Sequence, residues 1–257
     1  MKTKITILGS GSSIGVPRID GHWGNCDRNN KKNIRTRCSI MIKKGNNSIL
    51  IDSSPDIKNQ FLTNKISNLS YVLYTHPHAD QLHGINELRP FYWKNKKKIE
   101  IFSNKSTIKY IKEKFNYCFE PVKGYIPFLE AKAIKNSFLT LGKKAEKINF
   151  STINLNHGKI SSLGYIFEKV AYFSDCNGIN KKYFKQLMNL KCLIIDCLKI
   201  QKHPSHFSLN EALEISNKLK PKKTVLTNLH YDLDYNFLLN NLPRNVKPAY
   251  DGLQINI

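Results

Sequence analysis

Acidic residues are scarce in this 257-residue chain: 19 Asp and Glu stand against 41 Lys and Arg, a formal charge of +22. A field of that sign attracts phosphorylated or nucleic-acid ligands. It also follows from a composition rich in Lys, Asn and Ile, with KNKKK at 94–98 as its extreme, and both origins stay open. Cysteine is sparse too. Cys26, Cys38, Cys118, Cys176, Cys192 and Cys197 form no CxxC pair, so neither a disulfide framework nor a thiolate zinc site is indicated. No apolar run approaches the roughly 20 residues that span a bilayer, and no membrane partner is expected. The opening MKTKITILGS enters a strand-like pattern without a separate apolar segment, so a cytoplasmic protein is expected. The chain also lacks a Pro/Gly linker and an internal repeat, so residues 1–257 read as one domain.

What is present is an alternation of short apolar runs with turns and helical stretches. Strands are expected at 4–10, 38–43, 48–53, 71–75 and 99–103, then at 148–156, 163–168, 170–174, 192–197 and 223–229. Helices are expected at 54–64, with Ser54 as N-cap and Pro55 in the first turn, near 81–88, at 105–115, at 179–189 and at 208–220. Ser208 and Glu211 have capping-box spacing. Residues 116–145 read as a loop or lid. The mixture implies sheets with helices on their outer faces.

The chemistry-bearing side chains follow the strands. Asp52 follows SILI; His76, His78 and Asp80 follow YVLYT; His157 follows STINLN; Asp175 follows VAYFS; His206 comes after CLIIDC; His230 follows KTVLTNL. Side chains at i and i+2 of an extended segment share a side, which brings His76 and His78 together. Neutral imidazole and carboxylate are ligands for zinc or another borderline divalent ion. A single histidine is more often structural, but the joint recurrence at strand ends points to a metal site.

These segments resemble the metallo-β-lactamase superfamily, in the branch near phosphoribosyl cyclic phosphate phosphodiesterase. The resemblance is carried by LGSGSSIGVPR (8–18), LIDSSPD (50–56), THPHADQLHGINELR (75–89), LNHG (155–158), SLGYIF (162–167), YFSDC (172–176), HPSHFSLNEAL (203–213), LTNLHYDLDY (226–235) and YDGL (250–253). It implies an α/β fold, a four-layer αβ/βα sandwich, with divalent metal between the sheet edges. By position, His76, His78 and His157 match the ligands of a first ion. Asp80 matches a ligand of a second, Asp175 a bridging carboxylate, Asp52 an acidic residue behind the site, and His206 a histidine near the substrate. Gly9, Gly11 and Gly15 match a glycine-rich loop, which simple turn geometry also explains. The cysteine cluster of a structural zinc, frequent in the family, is reduced here to Cys26 and is expected to be absent.

Two positions depart from the family pattern. Gln81 and Asn228 stand where second-ion histidines are implied, and in each case a histidine, His83 or His230, follows two residues later. Three readings remain: a second site rebuilt from His83 and His230, a weak second site for a harder ion, or a single-ion enzyme. The expected cofactor is zinc or manganese, with one tight site and one weaker or altered. Asp80 and His206 are the candidate catalytic groups, and Arg37 and Arg89 candidate phosphate binders. The resemblance implies hydrolysis of a small cyclic phosphate or nucleotide-like phosphodiester. An RNA- or tRNA-processing nuclease and a non-catalytic binding protein are the alternatives. A small phosphodiester is the expected partner, with nucleic acid and a second copy of the chain left open.

Overall fold

The computed structural model describes residues 1–121 and 124–257. The first half supplies β1 (Lys4–Gly9), β2 (Ser39–Lys44), β3 (Asn47–Ile51), β4 (Tyr71–Leu73), β5 (Ile99–Ser103) and β6 (Leu129–Ala133). The second supplies β7 (Phe138–Leu141), β8 (Ile148–His157), β9 (Ile160–Phe167), β10 (Val170–Phe173), β11 (Gly178–Ile179), β12 (Cys192–Asp196), β13 (Thr224–Thr227) and β14 (Val246–Pro248). A last strand, β15 (Gln254–Asn256), returns to pair with β1. One sheet has the order β15-β1-β2-β3-β4-β5-β6. The other runs β11-β8-β9-β10-β12-β13-β14, with β7 beside β8. Pairing is parallel from β3 through β6 and from β10 through β12 and β13 to β14, and antiparallel elsewhere in both sheets.

Period-two side-chain alternation decides the layering. In β3, Ile49 and Ile51 join a core that also holds Ile5, Ile7, Phe150, Tyr165, Tyr172 and Ile194 from both sheets. Leu50, between them, faces the other way and packs with Phe61, Val72, Leu88 and Ile111. In β12, Ile194 enters the inter-sheet core, whereas Leu193 and Ile195 pack with Ala212, Leu219 and Leu238. The outer partners come from helices α1 (Ile57–Thr63), α2 (Ala79–Leu82), α3 (Arg89–Asn95) and α4 (Lys105–Lys114) on one side, and α5 (Phe184–Leu187), α6 (Leu209–Leu219) and α7 (Tyr235–Asn241) on the other. The four-layer α/β sandwich expected from the sequence is therefore the fold found.

Four local expectations change, one of them at 179–189, where Ile179 pairs with β8 in β11, a 3₁₀ turn covers Lys181–Tyr183 and only Phe184–Leu187 is α-helical. The first helix starts at Ile57 with Asp56 in the cap position, not at Ser54. The Ser54 carbonyl accepts from Ile57 N–H, and its hydroxyl accepts from Asp56 N–H, so Ser54 builds the turn ahead of the helix. The helix expected near 81–88 is broken at Gly84 into α2 and a 3₁₀ turn. A side chain at Gly84 would meet the Ser54 carbonyl at 2.1 Å, so only glycine permits this approach. The segment 116–145 is not a lid over its described part: it supplies β6 and β7, one added to each sheet, while residues 122–123 lie outside the described residues. By contrast, Ser208 caps α6 in a full capping box with Glu211.

Phe150 is fully buried in β8, with ring centroids 5.2 Å from Phe167 and 6.4 Å from Tyr165. Phe150→Ala should cost about 3–5 kcal/mol, the usual range for emptying such a site. A denaturant midpoint lowered at unchanged slope would show it; a midpoint equal to the wild type would mean that the inter-sheet core does not rest on this ring.

Candidate metal centre

A cleft of about 360 Å³ opens where several strands of both sheets end. His78, Asp80, His157, Asp175, His206 and Asn228 line it, together with Ser12, Ser13 and Ile14 from the loop after β1, Leu198, His203 and Ser205 from the loop after β12, and His230. The loop after β1 is held by Asp251 of the YDGL segment. One carboxylate oxygen accepts from Ser10 N–H and hydroxyl at 2.9 and 2.8 Å, the other from Thr36 N–H and hydroxyl at 2.8 and 2.6 Å. Gly9 lets that loop pass beside the Arg37 carbonyl, which a side chain at this position would meet at 1.9 Å.

At the floor, the structure brings His76, His78 and His157 together. His76 Nε2 lies 2.9 Å from His78 Nδ1, and His157 Nε2 lies 3.3 Å from the same atom. Each outer ring has its proton fixed at the far nitrogen. His157 Nδ1 donates to the Ser205 carbonyl at 2.7 Å. Thr75 Oγ1 gives its own proton to Asp52 Oδ2 at 2.9 Å and so accepts from His76 Nδ1, also at 2.9 Å. Both Nε2 atoms therefore turn lone pairs toward His78 Nδ1. Burial, reinforced by the neighbouring imidazoles, holds His76 well below the ordinary histidine range. Burial likewise lowers His157 to about 4, against the pull of the Ser205 carbonyl, so both rings stay neutral. One proton satisfies at most one pair of these nitrogens, whereas a divalent cation satisfies all three. Ligand nitrogens around zinc, at about 2.0–2.1 Å from it, stand roughly 3.3 Å apart at tetrahedral angles, so the spacing fits such an ion.

Asp52 reaches this cluster from behind. It has no solvent exposure, sits at φ 65°, and accepts from Thr75 N–H at 2.8 Å as well as from its hydroxyl. Burial pushes its carboxyl up, and the two Thr75 hydrogen bonds pull it back.

The other half of the floor is carboxylate and amide. Gln81 is fully buried, and its Nε2 donates to Asp80 Oδ2 at 3.1 Å and Asp175 Oδ2 at 3.0 Å. Burial, and then the nearby Asp80, raise the Asp175 carboxyl. Asn228 Nδ2 donates to the Ser174 carbonyl at 3.2 Å and to Asp196 Oδ1 at 3.3 Å. His157, Asp175 and His206 form a second group of possible metal ligands. His206 Nδ1 sits 2.7 Å from Asp196 Oδ2 and 3.9 Å from Asp175 Oδ1. Burial works against charge on His206, but Asp196, followed by Asp175 and Asp80, outweighs it and lifts the pKa to about 9. The carboxylates around the ring thus favour its protonated form.

Several sequence expectations are not met by the placement. His83 is exposed, with its ring against Phe115 at 5.7 Å, and does not line the cleft. His230 reaches the cleft mouth, but its Nδ1 is bonded to Asp232 at 3.0 Å, its ring lies on Tyr231, and it joins neither ligand group. A second ion site rebuilt from these two histidines is therefore not formed. Arg37 is committed to Asp56 at 2.8 Å and to the Ser13 carbonyl at 3.2 Å. Arg89 lies over the rings of Tyr125 and Phe128. Neither arginine lines the cleft. Asp196 was missed from sequence; its one signal is an acidic residue ending the apolar run CLIID. Ser12 and Leu198 carried no signal beyond lying just after strands.

Residues 47–231, more than two thirds of the chain, match the family described as the beta-lactamase superfamily domain. A protein of Porphyromonas gingivalis named octanoyltransferase is 29% identical over 253 residues, which are 96% of this chain and 50% of that one, so the chain spans half the length of that relative. The crystal structure of a new diphosphatase from the PhnP family superposes with a TM-score of 0.90 at 29% identity, covering 100% of this chain and 98% of the other. Human tRNase Z, short form, gives 0.71 at 16% identity, with 98% of each chain covered, a likeness of fold alone. With two mixed sheets flanked by helices, and with the His- and Asp-lined cleft at their edge, the chain belongs to the beta-lactamase superfamily.

Proposed function

We propose that this chain is a metal-dependent phosphodiesterase acting on a small cyclic or nucleotide-like phosphodiester. The observation that carries this reading is the pairing, in one cleft, of the three-imidazole cluster with His206, whose Nδ1 lies 2.7 Å from the buried carboxylate of Asp196. His76, His78 and His157 would hold the ion, zinc or manganese, which when bound supplies Lewis acidity toward a phosphoryl oxygen and an attacking water. Asp80, which lines the cleft, would orient the attacking water as a hydrogen-bond acceptor. His206, held by Asp196 through Nδ1, keeps a proton on Nε2 for a phosphoryl oxygen or for the departing alkoxide. Likeness to a diphosphatase of the PhnP family supports a phosphate-bearing substrate.

The net charge of +22 favours the RNA-processing alternative, and the fold is shared with tRNase Z. The cleft favours a small substrate: no Lys or Arg is among its lining residues, whereas a bound polynucleotide needs several cationic contacts along its backbone. Comparing kcat/KM for a cyclic nucleotide phosphodiester and for a structured RNA decides between them. A higher value on the RNA would overturn the small-substrate reading.

Two substitutions test the roles. Thr75→Val keeps the shape of a residue that is 1% exposed but breaks the link from Asp52 to His76. Metal affinity should fall about 10- to 100-fold, the common effect of removing an outer partner of a ligating histidine. Competition against a chelator measures it, and an unchanged affinity would show that His76 needs no such support. His206→Ala should leave metal content unchanged and lower turnover of an alkyl ester about 100- to 10,000-fold, the range for a lost general acid. An ester with a p-nitrophenolate leaving group should recover much of the loss. Departure of metal without any leaving-group dependence would make His206 a ligand instead.

A further inference from the structure

We propose that the side-chain amide of Gln81 takes the place of a second metal ion, so that the chain works with one tightly held cation. This rests on the ion site read above at His76, His78 and His157, and concerns what stands beside it. Asp80 and Asp175 approach each other through their Oδ2 atoms, and between them lies Gln81 Nε2, at 3.1 and 3.0 Å. A primary amide has two N–H bonds on one nitrogen, so a single group satisfies both carboxylates. It does neutrally what a cation would do by charge.

The orientation of the amide follows from its neighbours. Reversed, Gln81 would set its carbonyl oxygen against two carboxylate oxygens, an arrangement that only a cation between them makes favourable. As placed, Gln81 Oε1 is buried and has no hydrogen-bond partner among the described residues. That loss of one acceptor is tolerated because the opposite orientation would leave three acceptors facing one another. Leaving one such acceptor unmet costs on the order of 1–3 kcal/mol.

The remaining donors are engaged elsewhere. Asn228 is 1% exposed and directs its Nδ2 to the Ser174 carbonyl and Asp196. His83 lies outside the cleft, and His230 is bonded to Asp232. A second ion would have to displace the Gln81 amide and then rely on two carboxylates, an amide oxygen and water, or draw His206 Nδ1 away from Asp196, which holds it at 2.7 Å. Borderline ions such as zinc prefer imidazole nitrogen to amide oxygen, so the exchange of two imidazoles for two amides weakens the site most for them. A hard ion such as Mn²⁺ or Mg²⁺, content with oxygen ligands, is the stronger competitor for the amide.

Metal counting tests this without reference to turnover. Protein purified without chelator, loaded with Zn²⁺ and gel-filtered, should carry one ion per chain by elemental analysis. The double variant Gln81→His with Asn228→His should carry two. Gln81→Ala uncovers both carboxylates, and Gln81→Glu removes the donor while keeping the shape. Each should bind an additional Mn²⁺ at least tenfold more tightly than the wild type in a calorimetric titration. The second variant serves if the first folds poorly, with circular dichroism as the check. Two tightly held Zn²⁺ per wild-type chain would overturn the proposal and leave the phosphodiesterase reading standing. An additional Mn²⁺ held equally well by wild type and both variants would overturn it too. One ion per chain without turnover of any phosphodiester would uphold it and refute the proposed reaction. A wild type that retains no ion would overturn both.

Discussion

The imidazole of His76 hangs on a carboxylate that never meets solvent. Asp52, at the end of β3, takes both hydrogen bonds that Thr75 can donate, and Thr75 Oγ1 in turn accepts a hydrogen bond from His76 Nδ1. Because β3 and β4 are parallel neighbours, Asp52 and Thr75 emerge side by side. This short chain of contacts fixes which nitrogen of His76 is bare. His157 achieves the same end through the Ser205 carbonyl, contributed by the loop after β12. The two anchors come from different sheets, so the spacing of the three rings depends on how the sheets pack. The inter-sheet core is thus a condition of the metal centre as well as of stability.

Around that point the cleft separates charge into regions. The imidazoles of His76, His78 and His157 stand on one side. Asp80 and Asp175 stand on another, bridged by Gln81. His206 and Asp196 form a third, an ion pair whose carboxylate is fully buried and also receives Cys176 N–H at 2.8 Å. A buried charge persists only when it is paired and hydrogen-bonded. His206 lies close to His157, with ring centroids 4.7 Å apart, yet the two rings have opposite protonation tendencies. The difference lies in their partners: a carbonyl for one, a carboxylate for the other.

Much of this was legible in residue order. The mixture of strands and helices gave sheets with outer helices, the family resemblance implied the four layers, the capping box at Ser208 gave the start of α6, and polar residues after apolar runs gave His76, His78, His157 and His206 as neighbours-to-be. Other features lay beyond a linear reading. Ser54 looked like a cap but serves the turn before the helix, because its carbonyl is already committed there. His83 has the spacing of a ligand, but the break at Gly84 and the ring of Phe115 leave it outside the cleft. Arg37 and Arg89 carry the right chemistry for phosphate and spend it on Asp56 and on aromatic faces.

The sequence by itself determined the strand and helix content, the family through its motifs, and the types of donor available, because these depend on local residue order and on which side chains follow each strand. Only the tertiary structure decided which donors meet. Whether two histidines share an ion depends on distances across two sheets, and whether Gln81 is an orphan or a bridge depends on what faces it. Two carboxylates from segments 95 residues apart in sequence numbering, Asp80 and Asp175, converge on one amide nitrogen because the ends of β4 and β10 meet at the same cleft.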